Sequence, residues 1–172
     1  MIRLLALASI TVSFLAASSA PSPLYATYQR EWGFSALTTT FVFGVYAVAF
    51  LAALLTVGRI SDHVGRRPVL LVGIAAEIIA LAIFANAGSV AALVAARIVQ
   101  GLATGAAIGA VGAGMLDVDQ SRGAIANATA PGIGTASGAL VTSFAVQWLP
   151  APTQLMYAHM QARIVSTQEE SM

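Results

Sequence analysis

The 172-residue chain contains no lysine and no cysteine, and only 9 % of its residues are charged. Without cysteine it has no disulfide framework, no thiolate nucleophile and no cysteine-based metal site. Arginine supplies every fixed basic side chain, and net charge is only +1, so there is no basic face to hold nucleic acid. His63 and His159 are too isolated in sequence to suggest a zinc motif, and no metal or cofactor is expected. What the chain does have is apolar length. It is 58 % hydrophobic, with a mean hydropathy of +0.84, well outside the balance of a soluble domain.

The apolar residues fall into runs of membrane-spanning length. A span of the hydrocarbon core takes about 20 residues, and five such runs are read at about 2–22, 38–58, 68–87, 90–114 and 124–148. The expected fold is therefore all-α, a polytopic integral membrane helical bundle. The first run follows Arg3 and ends at Ser18-Ser19-Ala20, which could serve as a signal-peptide cleavage site. Pro21 directly after that site, and the further spans, argue for a retained first helix. Residues 26–37 read as the first polar connection, with Tyr25, Tyr28 and Trp32 as interfacial anchors. Within it, Gly33 reads as a stop and Ser35 as the cap of the next helix. Gly88-Ser89 is a tight turn that makes the third and fourth runs antiparallel neighbours. With the amino terminus inside, Arg3, Arg59, Arg66, Arg67 and Arg122 all fall on the cytoplasmic side, which is the positive-inside pattern.

The second and third runs are joined by Gly58-Arg59-Ile60-Ser61-Asp62-His63-Val64-Gly65-Arg66-Arg67-Pro68. Gly65 can take the conformation that ends a helix, and Pro68 suits the first position of the next. Gly58 and Asp62, one turn apart, share a face of the departing helix. A small residue beside a carboxylate lets a neighbouring helix end come close. At Gly58, Asp62, Gly65, Arg66 and Arg67 the loop resembles the second-to-third helix loop of the major facilitator superfamily of membrane transporters. His63 departs from that pattern, standing where Arg or Lys is usual. The resemblance implies a cytoplasmic gate latch formed by these five residues, with Asp62 meeting a helix of a second half. An ordinary loop, basic because it is cytoplasmic, is the plainer reading.

The fourth run carries Arg97-Ile98-Val99-Gln100-Gly101, which is similar to the family's signature for this helix. A charge inside a span costs about 2.5–3.5 kcal/mol on insertion scales and calls for a partner or an aqueous cavity. Arg97 either reaches outward to the interface or, as the resemblance implies, lines or couples a cavity together with Gln100. Glu77 belongs to no family motif and sits near the middle of the third run. It is expected to pair with Arg97 or to be a proton site; the alternative is a protonated side chain facing lipid or another helix. Gly101, Gly105, Gly109 and Gly112 form a stripe that lets another helix approach closely, and Gly134 and Gly138 in the fifth run do the same. The glycines of 132–138 are not a dinucleotide fingerprint, because the spacing is wrong and no strand precedes them. They resemble the fifth-helix motif of family exporters, except that Ala139 replaces its proline. Pro131 is expected to kink this helix.

After Trp148 the apolar pattern breaks. Residues 149–157 look like an outer turn and the start of a sixth helix, but 158–172 is a polar tail that is too short of apolar residues to span. The expectation is residues 1–157 as an N-terminal transporter half with an incomplete sixth span, shortened by truncation or a frame change. Family halves are built from three-helix inverted repeats around a midplane site. The resemblance then implies a secondary transporter, not an enzyme, that moves a small solute by alternating access coupled to protons, with efflux as one direction left open. Its partners would be the lipid bilayer, the solute, and a second transporter half or a second copy; its place would be the bacterial inner membrane. The alternatives are a non-transporting membrane fragment and a small regulatory or assembly membrane protein.

Overall fold

The computed structural model describes residues 1–148, and within them the side chains of all but 58, 59, 60 and 62. The expected sixth helix and polar tail lie outside the described residues. The elements are α1 (Ile2–Ser19), α2 (Pro21–Trp32), α3 (Ala36–Val64), α4 (Arg66–Ala85), α5 (Val90–Val118) and α6 (Gln120–Trp148). No strand occurs among the described residues.

The helices run further than apolarity alone indicates. Ala20 keeps right-handed helical angles (φ −55°, ψ −41°), so α1 and α2 follow one another directly, and Ile2–Trp32 forms one candidate span. The expected polar connection at 26–37 is therefore mostly helix, and only Gly33, Phe34 and Ser35 break it. Gly33 stops α2 at φ 66°, ψ 21°, and the Ser35 hydroxyl accepts the Thr38 N–H at 3.3 Å to start α3. Tyr25 and Tyr28 are not interfacial anchors: both are buried in the core, whereas Trp148 is exposed.

The motif loop is likewise nearly all helix. Gly65 alone separates α3 from α4, at φ 92° and ψ 155°, a positive φ that suits glycine but is not the left-handed helical cap expected. Because α4 begins at Arg66, Pro68 is its third residue, not its first. Asp119 alone separates α5 from α6, and its carboxylate accepts the Arg122 N–H at 2.9 Å, capping α6. Pro131 lies inside α6 without ending it.

Among the described residues, four helices are long and apolar enough to cross a membrane: Ile2–Trp32, Ala36–Val57, Arg66–Ala85 and Val90–Val118. The fifth expected span, within α6, has the length, at 29 residues, but its Gln, Asn, Ser, Thr and Gly content keeps it out of that set.

α5 is the central element and packs against α1, α3, α4 and α6. Its small residues make this possible, since helices in lipid associate by close backbone packing more than by burying apolar area. A Cβ on Gly101 would lie 2.7 Å from the Tyr46 carbonyl oxygen, and one on Gly105 would overlap the Phe50 carbonyl. Those two glycines seat α3 on α5. Gly109 faces Leu54, and Gly112 faces the Asn127 side chain of α6. Across the bundle, Gly134 and Gly138 of α6 lie against the backbone of α1 at Val12 and Ala16. The apolar core includes Phe14, Leu24, Leu81, Phe84, Leu93 and Met115.

Candidate functional site

Four helices, α1, α2, α4 and α5, bring polar side chains to one place inside this apolar core. Arg97 and Glu77, on neighbouring helices, are 1 % and 0 % exposed. Arg97 does not reach out to the interface, and Glu77 does not face lipid. Nor do they form the direct ion pair expected of them: no ion pair within 4 Å joins them among the described residues. Gln100 stands between them. It takes an N–H from Arg97 Nη1 on its Oε1 at 2.8 Å and donates from Nε2 to Glu77 Oε1 at 3.0 Å. One turn further along α5, Thr104 donates to Glu77 Oε2 at 3.3 Å.

The remaining partners come from α1 and α2. Arg97 Nη1 also donates to the Ser18 carbonyl at 2.8 Å, and Arg97 Nε to the Tyr25 hydroxyl at 2.8 Å. Gln100 Nε2 reaches the Ala17 carbonyl at 3.3 Å. Ser18 Oγ and Thr104 Oγ1 are 2.9 Å apart.

The Ala17 carbonyl can act as a ligand here because of Pro21. Within a helix the Ala17 carbonyl would accept the N–H of residue 21, and proline has none. That carbonyl is the one Gln100 uses. Satisfying buried polar groups in this way is what makes a charged residue tolerable inside an apolar bundle. The guanidinium is also faced by the rings of Tyr25, Phe43, Tyr46 and Phe84, with Cζ 5.1–5.5 Å from each centroid. Such cation–π contacts spread part of the charge into the core.

A second polar cluster sits at the opposite end of the α5 helix. Arg66, at the start of α4, forms an ion pair with Asp117, near the end of α5. Gly114 of α5 and Leu7 of α1 lie beside it. Gly58 and Asp62 lie one turn apart near the end of α3, and Arg67 is exposed beside Arg66. The loop residues and the Arg97–Gln100–Glu77 group are thus two separate sites.

A profile of the Major Facilitator Superfamily matches residues 7–158. The chain belongs to that superfamily. It is also 41 % identical over 64 residues to Multidrug resistance protein D of Escherichia coli (strain K12). That match covers 37 % of this chain and 16 % of the relative. With its apolar helices and this family membership, the chain is an integral membrane protein of a transporter family.

Reasoning from sequence singled out Arg97, Gln100 and Glu77, but not Ala17, Ser18, Tyr25 or Thr104. Serine, threonine and tyrosine are too common in membrane helices to stand out. For Ala17 there was a signal, Pro21 inside an apolar run, which leaves the Ala17 carbonyl without its helical donor.

Proposed function

We infer that this superfamily member is a transmembrane transporter of a small solute, working by alternating access with proton coupling. The observation that carries the reading is the buried Arg97–Gln100–Glu77 cluster, with all three side chains enclosed and hydrogen-bonded between helices. A carboxyl group in such surroundings can take up a proton and alter its hydrogen bonds in doing so, which gives a proton gradient a grip on helix packing. No chemistry on the solute is proposed.

Arg66, Arg67 and Asp62, with Gly58 and Gly65, form the inner-gate latch in this reading. The Arg66–Asp117 pair supports it, because it ties the two helix ends that border the loop. In this reading that end and the amino terminus face the cytoplasm, which the positive-inside pattern supports. The name of the relative, Multidrug resistance protein D, supports drug-like solutes, and its bacterial source supports a bacterial inner membrane; export belongs to the same reading. A complete cavity would form with a second half or a second copy of this chain.

The test is solute flux in lipid vesicles under an imposed proton gradient, with a fluorescent lipophilic cation as probe. Gradient-dependent flux that is lost in Glu77→Gln supports the reading. Flux that is unchanged in rate and pH dependence by that substitution removes the proton role.

A second reading is a membrane protein that assembles with another chain and does not itself transport. The apolar side chains exposed on α3 (Leu37, Phe41, Leu55) and α6 (Leu140, Phe144) are faces that either lipid or a partner helix can cover. Co-purification with another membrane protein, without flux, would support it.

A further inference from the structure

We propose that the Ser18 and Thr104 hydroxyls form the proton path to Glu77, and that the proton lands on Oε2. The inference rests on the proton-coupled reading and assigns that site its route and its atom.

The atom follows from donor counting. Arginine has only donors, so Gln100 must turn its carbonyl oxygen toward Arg97 Nη1. Its amide nitrogen therefore faces Glu77 Oε1, and the Ala17 carbonyl, which can only accept, requires the same orientation. Oε1 thus receives an N–H whether or not the carboxyl group is protonated. The oxygen left for the proton is Oε2, which faces Thr104.

The route follows from what surrounds that oxygen. Glu77, Gln100 and Thr104 are each 0 % exposed and Ser18, though buried, is 7 % exposed, so Ser18 is taken as the outer end of the row. Arg97 and the Gln100 amide nitrogen carry no lone pair to receive a proton. They cannot relay one from Tyr25, which touches the cluster through Arg97 Nε. A hydroxyl can both accept and donate. A proton taken from water by Ser18 Oγ displaces the Ser18 proton to Thr104 Oγ1, and the Thr104 proton passes to Oε2. Each hydroxyl ends with one proton, and the carboxylate gains one.

The hydrogen-bond direction along the row reverses with loading. With Glu77 ionised, Thr104 donates to Oε2 and takes its own hydrogen bond from Ser18. With Glu77 protonated, Glu77 donates to Thr104, and Thr104 can donate to Ser18. The load on α4 is thereby felt on α1. The other ionisable groups facing this carboxyl group are Arg97 from α5 and Tyr46 from α3, whose hydroxyl lies near Ser18, Thr104 and Glu77; Tyr25 from α2 is held on the far side of Arg97.

The test is a pH jump on the full chain in phosphatidylethanolamine–phosphatidylglycerol vesicles, following the protonated-carboxyl infrared band. Glu77→Gln assigns the band by removing it. Thr104→Val is expected to slow its appearance by about tenfold or more, Ser18→Ala to slow it as well, and Thr104→Ser to restore the wild-type rate. A wild-type rate in Thr104→Val overturns the path. A wild-type rate in Ser18→Ala, with slowing in Tyr46→Phe, moves the entrance to α3 and overturns the role of Ser18. A wild-type chain with no titrating Glu77 band ends the proton-coupled reading itself.

Discussion

Pro21 stands four residues after Ala17, where an ordinary helix would supply the donor for the Ala17 carbonyl; that carbonyl instead accepts the Gln100 amide. One imino acid in the first span thus opens a backbone acceptor to the fourth. Pro21→Ala restores an N–H at that position. The cost of Gln100→Leu should then fall by about 0.5–1.5 kcal/mol, the size of one hydrogen bond. A double-mutant cycle on unfolding in detergent checks this; zero coupling between the two sites would separate Pro21 from the cluster.

Arg97 and Glu77 should respond unequally to substitution. Arg97→Met leaves Glu77 buried without its countercharge and is expected to cost about 3–5 kcal/mol. Glu77→Gln keeps the shape, accepts from Gln100 and donates to Thr104, so its cost should stay within about 1 kcal/mol. Unfolding midpoints of the two variants in the same detergent decide the matter. Equal losses would mean that the carboxylate charge, and not its hydrogen bonds, holds the site.

The α3–α5 seam depends on glycine at defined positions. A Cβ on Gly105 meets the Phe50 carbonyl, which is backbone and cannot swing aside. Gly105→Ala is expected to destabilise by about 1–3 kcal/mol through overpacking. A Cβ on Gly44 would have nothing within 4 Å of it, and Gly44→Ala should be neutral or stabilising by about 0.5–1 kcal/mol. Thermal unfolding of both variants makes the comparison.

The Arg66–Asp117 pair is partly open, with side chains 34 % and 63 % exposed. Its contribution to stability should lie at about 0–1 kcal/mol and shrink with added salt. Asp117→Asn should therefore leave the unfolding midpoint almost unchanged. If the pair belongs to a gate, the same substitution alters flux in vesicles far more than stability. A large stability loss with unchanged flux would make it a structural clamp only.

Much of this was legible in the sequence. Four of the five apolar runs, the loop from Gly58 to Arg67, and the out-of-place Arg97 and Glu77 are all one-dimensional signals, because lipid rejects charge and requires long apolar helices. Helix ends were read poorly. α3 carries on through polar Ser61, Asp62 and His63, since a helix leaving the bilayer keeps its hydrogen bonds whether its side chains are apolar or not. Tyr25 was misplaced for a related reason: an amphipathic ring suits an interface or a buried arginine equally well, and only the neighbour across the bundle chooses.

The sequence by itself determined that this is a helical membrane protein of the Major Facilitator Superfamily, because composition, span length and motif are properties of the chain alone. Only the tertiary structure decided that Gln100 separates Arg97 from Glu77 and that Ser18, Thr104 and the Ala17 carbonyl complete the cluster. The hydrogen bonds joining α1 and α2 to α5 link residues more than 70 positions apart in the chain. Which of those residues meet depends on how the glycines of α5 and α6 let the helices approach, and on the direction each side chain takes from its helix. Neither is fixed by spacing along a single helix.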